Sequence, residues 1–163
     1  MEMSLQPAAK TESNFVMFLS SKIFKILNEA IPEAFEVVPE SGIYLFIEFM
    51  RQKVDLLIEE GAIALVLLQR FITKQSAKGI NILNTRNIGM MLVVLFILSM
   101  KLCRDFVHKN SFFSEIFAIP IASLNRSESG FLRVLDHDLW VQDTQFLLIF
   151  DELSKFNETK ITV

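Results

Sequence analysis

The triplet Asp136-His137-Asp138 places two carboxylates beside one imidazole. Side chains of these types can ligate a metal ion or pass a proton. Their spacing argues against both. Consecutive residues at a helix end point in different directions, and no third ligand or nucleophile accompanies them. A polar helix terminus is the expected reading. His108 sits in a polar turn and is expected to be solvated. Cys103 is the only cysteine, which excludes an internal disulfide and a cysteine-rich zinc site. It follows an apolar run and is expected to pack as a small hydrophobe. There is no nucleophile–base pair, glycine-rich phosphate loop or metal-ligand spacing. The expectation is a non-enzyme: no catalytic residue, no metal ligand, no cofactor and no small-molecule substrate.

Other charged residues suit recognition. Lys101 closes the most apolar stretch of the chain, where a cation complements the helix dipole. Glu128 falls inside a helix, where a solvated carboxylate is the ordinary case. Arg51 is expected to be structural, paired with a buried acceptor.

The elements that must position these residues are helical. Phe15, Leu19, Ile23, Ile26, Leu27 and Ala30 recur at three and four residues, with Ser13 or Asn14 as N-cap. Pro32, Pro39 and Gly42 mark a connection over 32–42. Phe46, Ile47, Met50, Val54, Leu57 and Ile58 form a second stripe. Residues 60–73 are apolar nearly all round, as in a helix buried among neighbours. A polar loop over 74–86 follows, with Ile80, Ile82 and Leu83 available to tack it down. The next helix, about 87–106, should be central. A short helix at 111–117 precedes one that Pro120 opens and that runs to about Asp136. Gly130 within it suggests a bend or a close neighbour. Phe146, Leu147, Ile149, Phe150 and Leu153 mark a last helix over 144–155, and Trp140 is expected to plug the core edge. Residues 1–13 are expected to be a flexible tail, 14–155 one domain and 156–163 a second tail.

Composition narrows the class. The chain has 163 residues, 52% hydrophobic and 21% charged, which suits one domain with a real core and excludes a disordered chain. The net charge of −3 is unlike a protein built to hold nucleic-acid backbone. Mean hydropathy of +0.41 raises the question of a membrane. The longest apolar run, Ile88–Met100, has 13 residues, whereas a span needs roughly 20. The N-terminus lacks the basic-then-apolar order of a signal peptide. No nucleic acid and no membrane are expected as partners, and an intracellular location, nucleus or cytoplasm, is.

Residues 80–141 resemble a cyclin box, most closely that of the P/U-type, phosphate-pathway cyclins. The resemblance rests on Ser99-Met100-Lys101 closing the apolar helix, then Arg104-Asp105-Phe106 and Asn110-Ser111-Phe112-Phe113. It continues through Ser123-Leu124-Asn125, Glu128, Phe131-Leu132 and Leu135-Asp136-His137-Asp138-Leu139. Upstream, residues 64–71 resemble the second helix of the box and 46–54, around Arg51, the first. The box then spans about 43–150. The resemblance implies an all-α fold: five helices around the central apolar one, with flanking N- and C-terminal helices. It implies a regulatory subunit that binds and activates a cyclin-dependent kinase. Lys101 and Glu128 match the residues that hold the kinase, and Leu132 and His137 match positions that pack against it. Several positions depart from the family pattern. Gln69 replaces the acid that usually pairs with the arginine matched by Arg51. Asn87-Ile88-Gly89 replaces a His-Arg-like pair, and Ile119-Pro120 replaces a glycine pair. The competing reading is a cyclin-fold protein-binding adaptor that does not activate a kinase.

Overall fold

A computed structural model describes the backbone of residues 5–162 and the side chains of residues 14–155. Among these the chain forms eight α-helices and no strand. They are α1 (Leu5–Ala30), α2 (Ala34–Val37), α3 (Glu40–Val54), α4 (Ile58–Ala77), α5 (Ile88–Cys103), α6 (Asn110–Ile116), α7 (Ile121–Val134) and α8 (Asp143–Thr162). The side chains of the two expected tails lie outside the described residues, although the helix bounds reach into both segments.

α5 is the axis of the fold. Every residue from Met91 to Met100 is buried. An α-helix with no polar face must be covered on all sides. α4 and α7 pack along it, and Phe46 of α3 meets Phe96 edge-on at 5.6 Å between ring centroids. α1 and α8 pack against one another and against α4, and α1 also carries α3. The hydroxyl of Ser99 is buried within α5 and donates to the Leu95 carbonyl at 2.8 Å, so no polar group is stranded there.

Three boundaries and the burial along one helix differ from the expectation. The connection over 32–42 contains the single-turn α2. α4 runs on to Ala77 because Gln75 is buried and productive: its Oε1 accepts from Ile82 N–H at 3.1 Å and Leu83 N–H at 3.0 Å. That side chain replaces backbone partners for the loop, which is anchored by buried Leu83 while Ile80 and Ile82 stay exposed. α5 stops at Cys103 because Arg104 turns extended, φ −111° and ψ 140°. α8 buries Leu153 but leaves Leu147 exposed.

Trp140 does not plug the core. It is 74% exposed, and neighbouring Leu139 packs against the core instead. Gly130 is not a contact point either, since a Cβ built there would meet no atom within 4 Å. The close approach is at Gly61, where a Cβ would lie 2.9 Å from Leu19 Cδ2 and 3.3 Å from Phe15 Cζ. Gly61 thus lets the start of α4 press against α1.

Gly130 therefore contributes only its backbone freedom. Gly130→Ala should raise unfolding stability by about 0.5–1 kcal/mol. The urea midpoint reads this directly, and a lower midpoint would mean that position 130 does have a tight neighbour.

Candidate partner-binding site

Lys101 lies in the last turn of α5 and Glu128 sits in the middle of α7, and the packing of these helices brings the two side chains together. Lys101 Nζ lies 2.8 Å from Glu128 Oε2. Asn110, at the start of α6, donates through Nδ2 to Glu128 Oε1 at 3.0 Å and to Asn125 Oδ1 at 2.9 Å. Three helices therefore meet at one carboxylate. The pair remains partly open to solvent, with 34% of the Lys101 side chain and 15% of the Glu128 side chain accessible. Following Lys101 in sequence, Leu102 is 43% and Phe106 93% exposed.

The end of α5 is held from the opposite side. Glu60 in the first turn of α4 is fully buried, yet carries a carboxylate. Arg104 grips it in a fork, Nε to Oε2 at 2.5 Å and Nη2 to Oε1 at 2.7 Å. Glu60 Oε1 also accepts the Leu57 N–H at 3.0 Å, which satisfies one of the free donors at the α4 N-terminus. Arg104 Nη2 reaches on to the Asp55 carbonyl at 3.1 Å. The hydrogen bond to Glu60 raises the Arg104 pKa above its ordinary value and keeps the guanidinium charged. Cys103 beside it lies at the surface and does not pack as a hydrophobe. Partial burial, then Glu60 and Glu59, push its thiol up to about 11, so at neutral pH it is a poor nucleophile.

Arg51 finds its acid within its own helix, with Nε donating to Glu48 Oε1 at 2.6 Å. Gln69 is exposed, and the acid that ties the start of α4 to the end of α5 is Glu60 instead.

The Asp136-His137-Asp138 triplet is the C-terminus of α7. Asp136 N–H bonds Arg133 O at 3.0 Å and His137 N–H bonds Leu132 O at 2.9 Å, the paired pattern that closes a helix through a left-handed residue. Asp136 (φ 56°) and His137 (φ 57°) both adopt that conformation, which Asp and His tolerate better than most residues. The carboxylates face α4. Asp136 contacts Lys78 at 2.6 Å and Lys74 at 3.3 Å, and Arg70 donates to the Asp138 carbonyl at 2.8 Å. Lys78 also donates to the Val134 carbonyl at 3.0 Å, placing a cation on the last turn of α7. These lysine bonds hold the Asp136 carboxyl below its ordinary 3.8, first through Lys78 and then Lys74. Among the described residues no group of three His, Cys, Asp or Glu could hold a metal ion.

Of the positions singled out from sequence, Lys101 and Glu128 come together. Leu132 lies one turn beyond Glu128, part-buried against the core, and His137 is exposed at the helix end. Arg51 stands on α3 with its own partner. Sequence reasoning did not single out the roles of Asn110, Asn125 and the Glu60–Arg104 fork. The spacing of Leu57 and Glu60 was a signal for the last, since a glutamate at the third helical position can reach back to the N-cap.

A family model described as Cyclin matches residues 60–139. The match supports the cyclin family. It contains Lys101, Glu128, Leu132, His137 and both members of the Glu60–Arg104 fork. The all-α architecture around α5 is consistent with a cyclin box. No curated protein and no solved structure matches the chain. No described helix is long and apolar enough to cross a membrane.

Removing Glu60 leaves Arg104 charged and without its acid. Glu60→Ala should cost about 3–5 kcal/mol. Glu152→Ala, which removes the exposed Lys22–Glu152 pair, should cost less than about 1 kcal/mol. Chemical denaturation of the two variants compares them; equal costs would mean that the fork is not what joins α4 to α5. Asp136 is depressed on folding, so its contribution is complete above 3.8 and fades as pH falls through its lower folded value. Asp136→Asn should flatten the acid limb of the stability profile below that pH and leave the alkaline limb unchanged, read as thermal midpoint against pH.

Proposed function

We propose that this chain is a regulatory subunit that binds and activates a cyclin-dependent protein kinase. The face is the one containing Lys101, Glu128, Leu132 and His137. The observation that carries the reading is the Lys101–Glu128 pair, partly open and inside the cyclin match. Its members satisfy one another without being used up. Lysine has three N–H donors, of which Glu128 takes one. Glu128 spends one oxygen on Lys101 and the other on Asn110, and each keeps lone-pair capacity. A partner's backbone carbonyls can therefore join Lys101, and its N–H groups Glu128, without breaking the pair. Such charge-assisted bonds are roughly twice as strong as neutral ones. Leu102 and Phe106 would supply the apolar anchors that an interface needs at its centre.

The activation mechanism follows from what cyclins do. Docking moves the kinase's regulatory helix inward, completes its Lys–Glu ion pair and orders its activation segment. The subgroup is the phosphate-pathway one, supported by the ordered motif set from Ser99 to Leu139. The reading includes an intracellular location and a protein partner rather than nucleic acid, which the net charge of −3 supports.

The test uses Lys101→Glu with Glu128→Lys. The exchange keeps an opposite-charge pair within the chain, so folding should survive, but it reverses what each position offers a partner. Wild-type bait in lysate from the source organism should retain a kinase and its activity, and the exchanged bait should lose both. Phe106→Ala should weaken capture about tenfold, the loss of one interface anchor. A folded wild-type bait that retains no kinase would overturn the proposal. A kinase retained but left inactive would establish the adaptor reading instead.

A further inference from the structure

The last helix carries an apolar side that no described element covers. Phe146, Ile149, Phe150 and Leu153 turn α8 toward the core, with Phe146 and Phe150 stacked at 5.6 Å between ring centroids. Through this side α8 packs on α1 and α4. At about 100° per residue, Thr144, Leu147, Leu148 and Asp151 come to the opposite side. A surface helix ordinarily places polar residues there. α8 instead leaves Leu147 52% and Leu148 69% exposed. Trp140, with its indole turned outward, stands three residues before α8 begins, a length of chain that spans at most roughly 10 Å. All three residues lie beyond the end of the cyclin match at residue 139. Large apolar side chains exposed together mark a contact site, whereas scattered ones do not.

The charge along this segment has one sign. Between Arg133 and Lys155 the chain carries Asp136, Asp138, Asp143, Asp151 and Glu152, and no lysine or arginine. Asp136 and Asp138 are occupied by Lys74 of α4, and Glu152 by Lys22 of α1. Asp143 and Asp151 are exposed, and neither forms an ion pair with another described residue. Asp143 lies one helical turn before Leu147, and Asp151 one turn after it, so a free carboxylate borders the leucines at each end. The exposed indole of Trp140 adds a third acceptor for a cation, because the face of the ring attracts lysine and arginine electrostatically.

We propose that the outer face of α8 docks a basic amphipathic helix of another protein. The apolar stripe of that helix covers Leu147 and Leu148. Its flanking arginines or lysines pair with Asp143 and Asp151, and one of them lies over Trp140. Like-charge repulsion from the two aspartates turns away an acidic helix. The contact uses neither Lys101 nor Glu128, so it provides for a second partner beside the one that the α5–α7 face would take.

The probe is a peptide of about eighteen residues, five helical turns, with leucines along one face, arginines on either side of them and no tryptophan. Its control has glutamate at each arginine position. Trp140 is the only tryptophan of the chain and reports the site directly. Titration of the full chain with the basic peptide should move the tryptophan emission to shorter wavelength as the indole is covered, and the control should not. Anisotropy of the fluorescein-labelled basic peptide should show binding that weakens with added salt. Leu148→Ser and Asp151→Lys should each weaken it at least fivefold. Glu115→Lys on α6 and the Lys101/Glu128 exchange should leave it unchanged. Both α8 positions are exposed, and thermal midpoints will verify that the variants fold. No binding by the wild type, or equal binding by wild type and both α8 variants, would overturn the proposal. Binding without a change in tryptophan emission would place the peptide elsewhere and overturn it too. Concentration-dependent self-association abolished by Leu148→Ser would overturn it in favour of a second copy of the chain. Loss of the captured kinase on Leu148→Ser would overturn it by making α8 part of the kinase interface. A wild type that captures no kinase but still binds the peptide would overturn the kinase reading alone, so the two fail separately.

Discussion

The structure depends on covering one helix. Ten consecutive residues of α5, Met91–Met100, are buried, and only Ser99 among them has a polar side chain. A helix without a polar face cannot rest at a surface, so the other helices are arranged by the need to surround it. α4 takes the longest contact because it is nearly as apolar. α7 takes a second side, and Phe46 of α3 reaches Phe96 of α5. α1 and α8 then close over α4, and Gly61 permits the tight approach of α1. The order of burial runs outward from α5, and the charged residues are left at its ends.

Those ends are where the fold places its polar interactions. At the C-terminal end of α5, Arg104 is drawn across to buried Glu60, and this ends the helix two or three residues earlier than its sequence pattern suggests. The same fork fixes the last turn of α5, which carries Lys101. Lys101 in turn meets Glu128 of α7, and Asn110 ties the start of α6 to the same carboxylate. The candidate binding face is therefore continuous with the core, with the fork and the Lys101–Glu128 pair both holding the end of α5. At the far end of α7, Asp136 and Asp138 clamp the helix terminus to the basic last turns of α4. The triplet that most resembles a chemical site is thus a structural clasp. Its carboxylates are occupied by lysines and its histidine is held in a left-handed turn.

How much of this was readable from the chain varies by the physics involved. The central helix was readable because an apolar run of that length admits few other fates. The stripes of α1 and α7 were readable for the same reason, as periodicity reports burial directly; the α3 stripe was read too far, since left-handed Asp55 ends that helix at Val54, Leu57 is exposed and Ile58 opens α4. The pairing of Lys101 with Glu128 was legible only through the family resemblance; 27 residues separate them, and no periodicity predicts which surface charges meet. Gln75 was misread as part of a loop, since a buried glutamine is recognisable only once its two N–H partners are in place. Trp140 was misread as core because a large indole usually finds cover, and the turn at Asp136 and His137 carries it outward instead.

Seven of the eight helices and the identity of the central one follow from residue types and their spacing, which act locally; the single-turn α2 does not. The sequence by itself determined those. The tertiary structure decided which charges became partners: Arg51 with Glu48 rather than with α4, Arg104 with Glu60, and Lys101 with Glu128. It also decided which apolar residues stayed outside, Phe106 on one face and Leu147 and Leu148 on another. The reason is geometric. Burial along a helix repeats with its turn and can be read one residue at a time. Ion pairs and surface grooves exist only where two helices cross, and the crossing is set by the packing of all of them around α5.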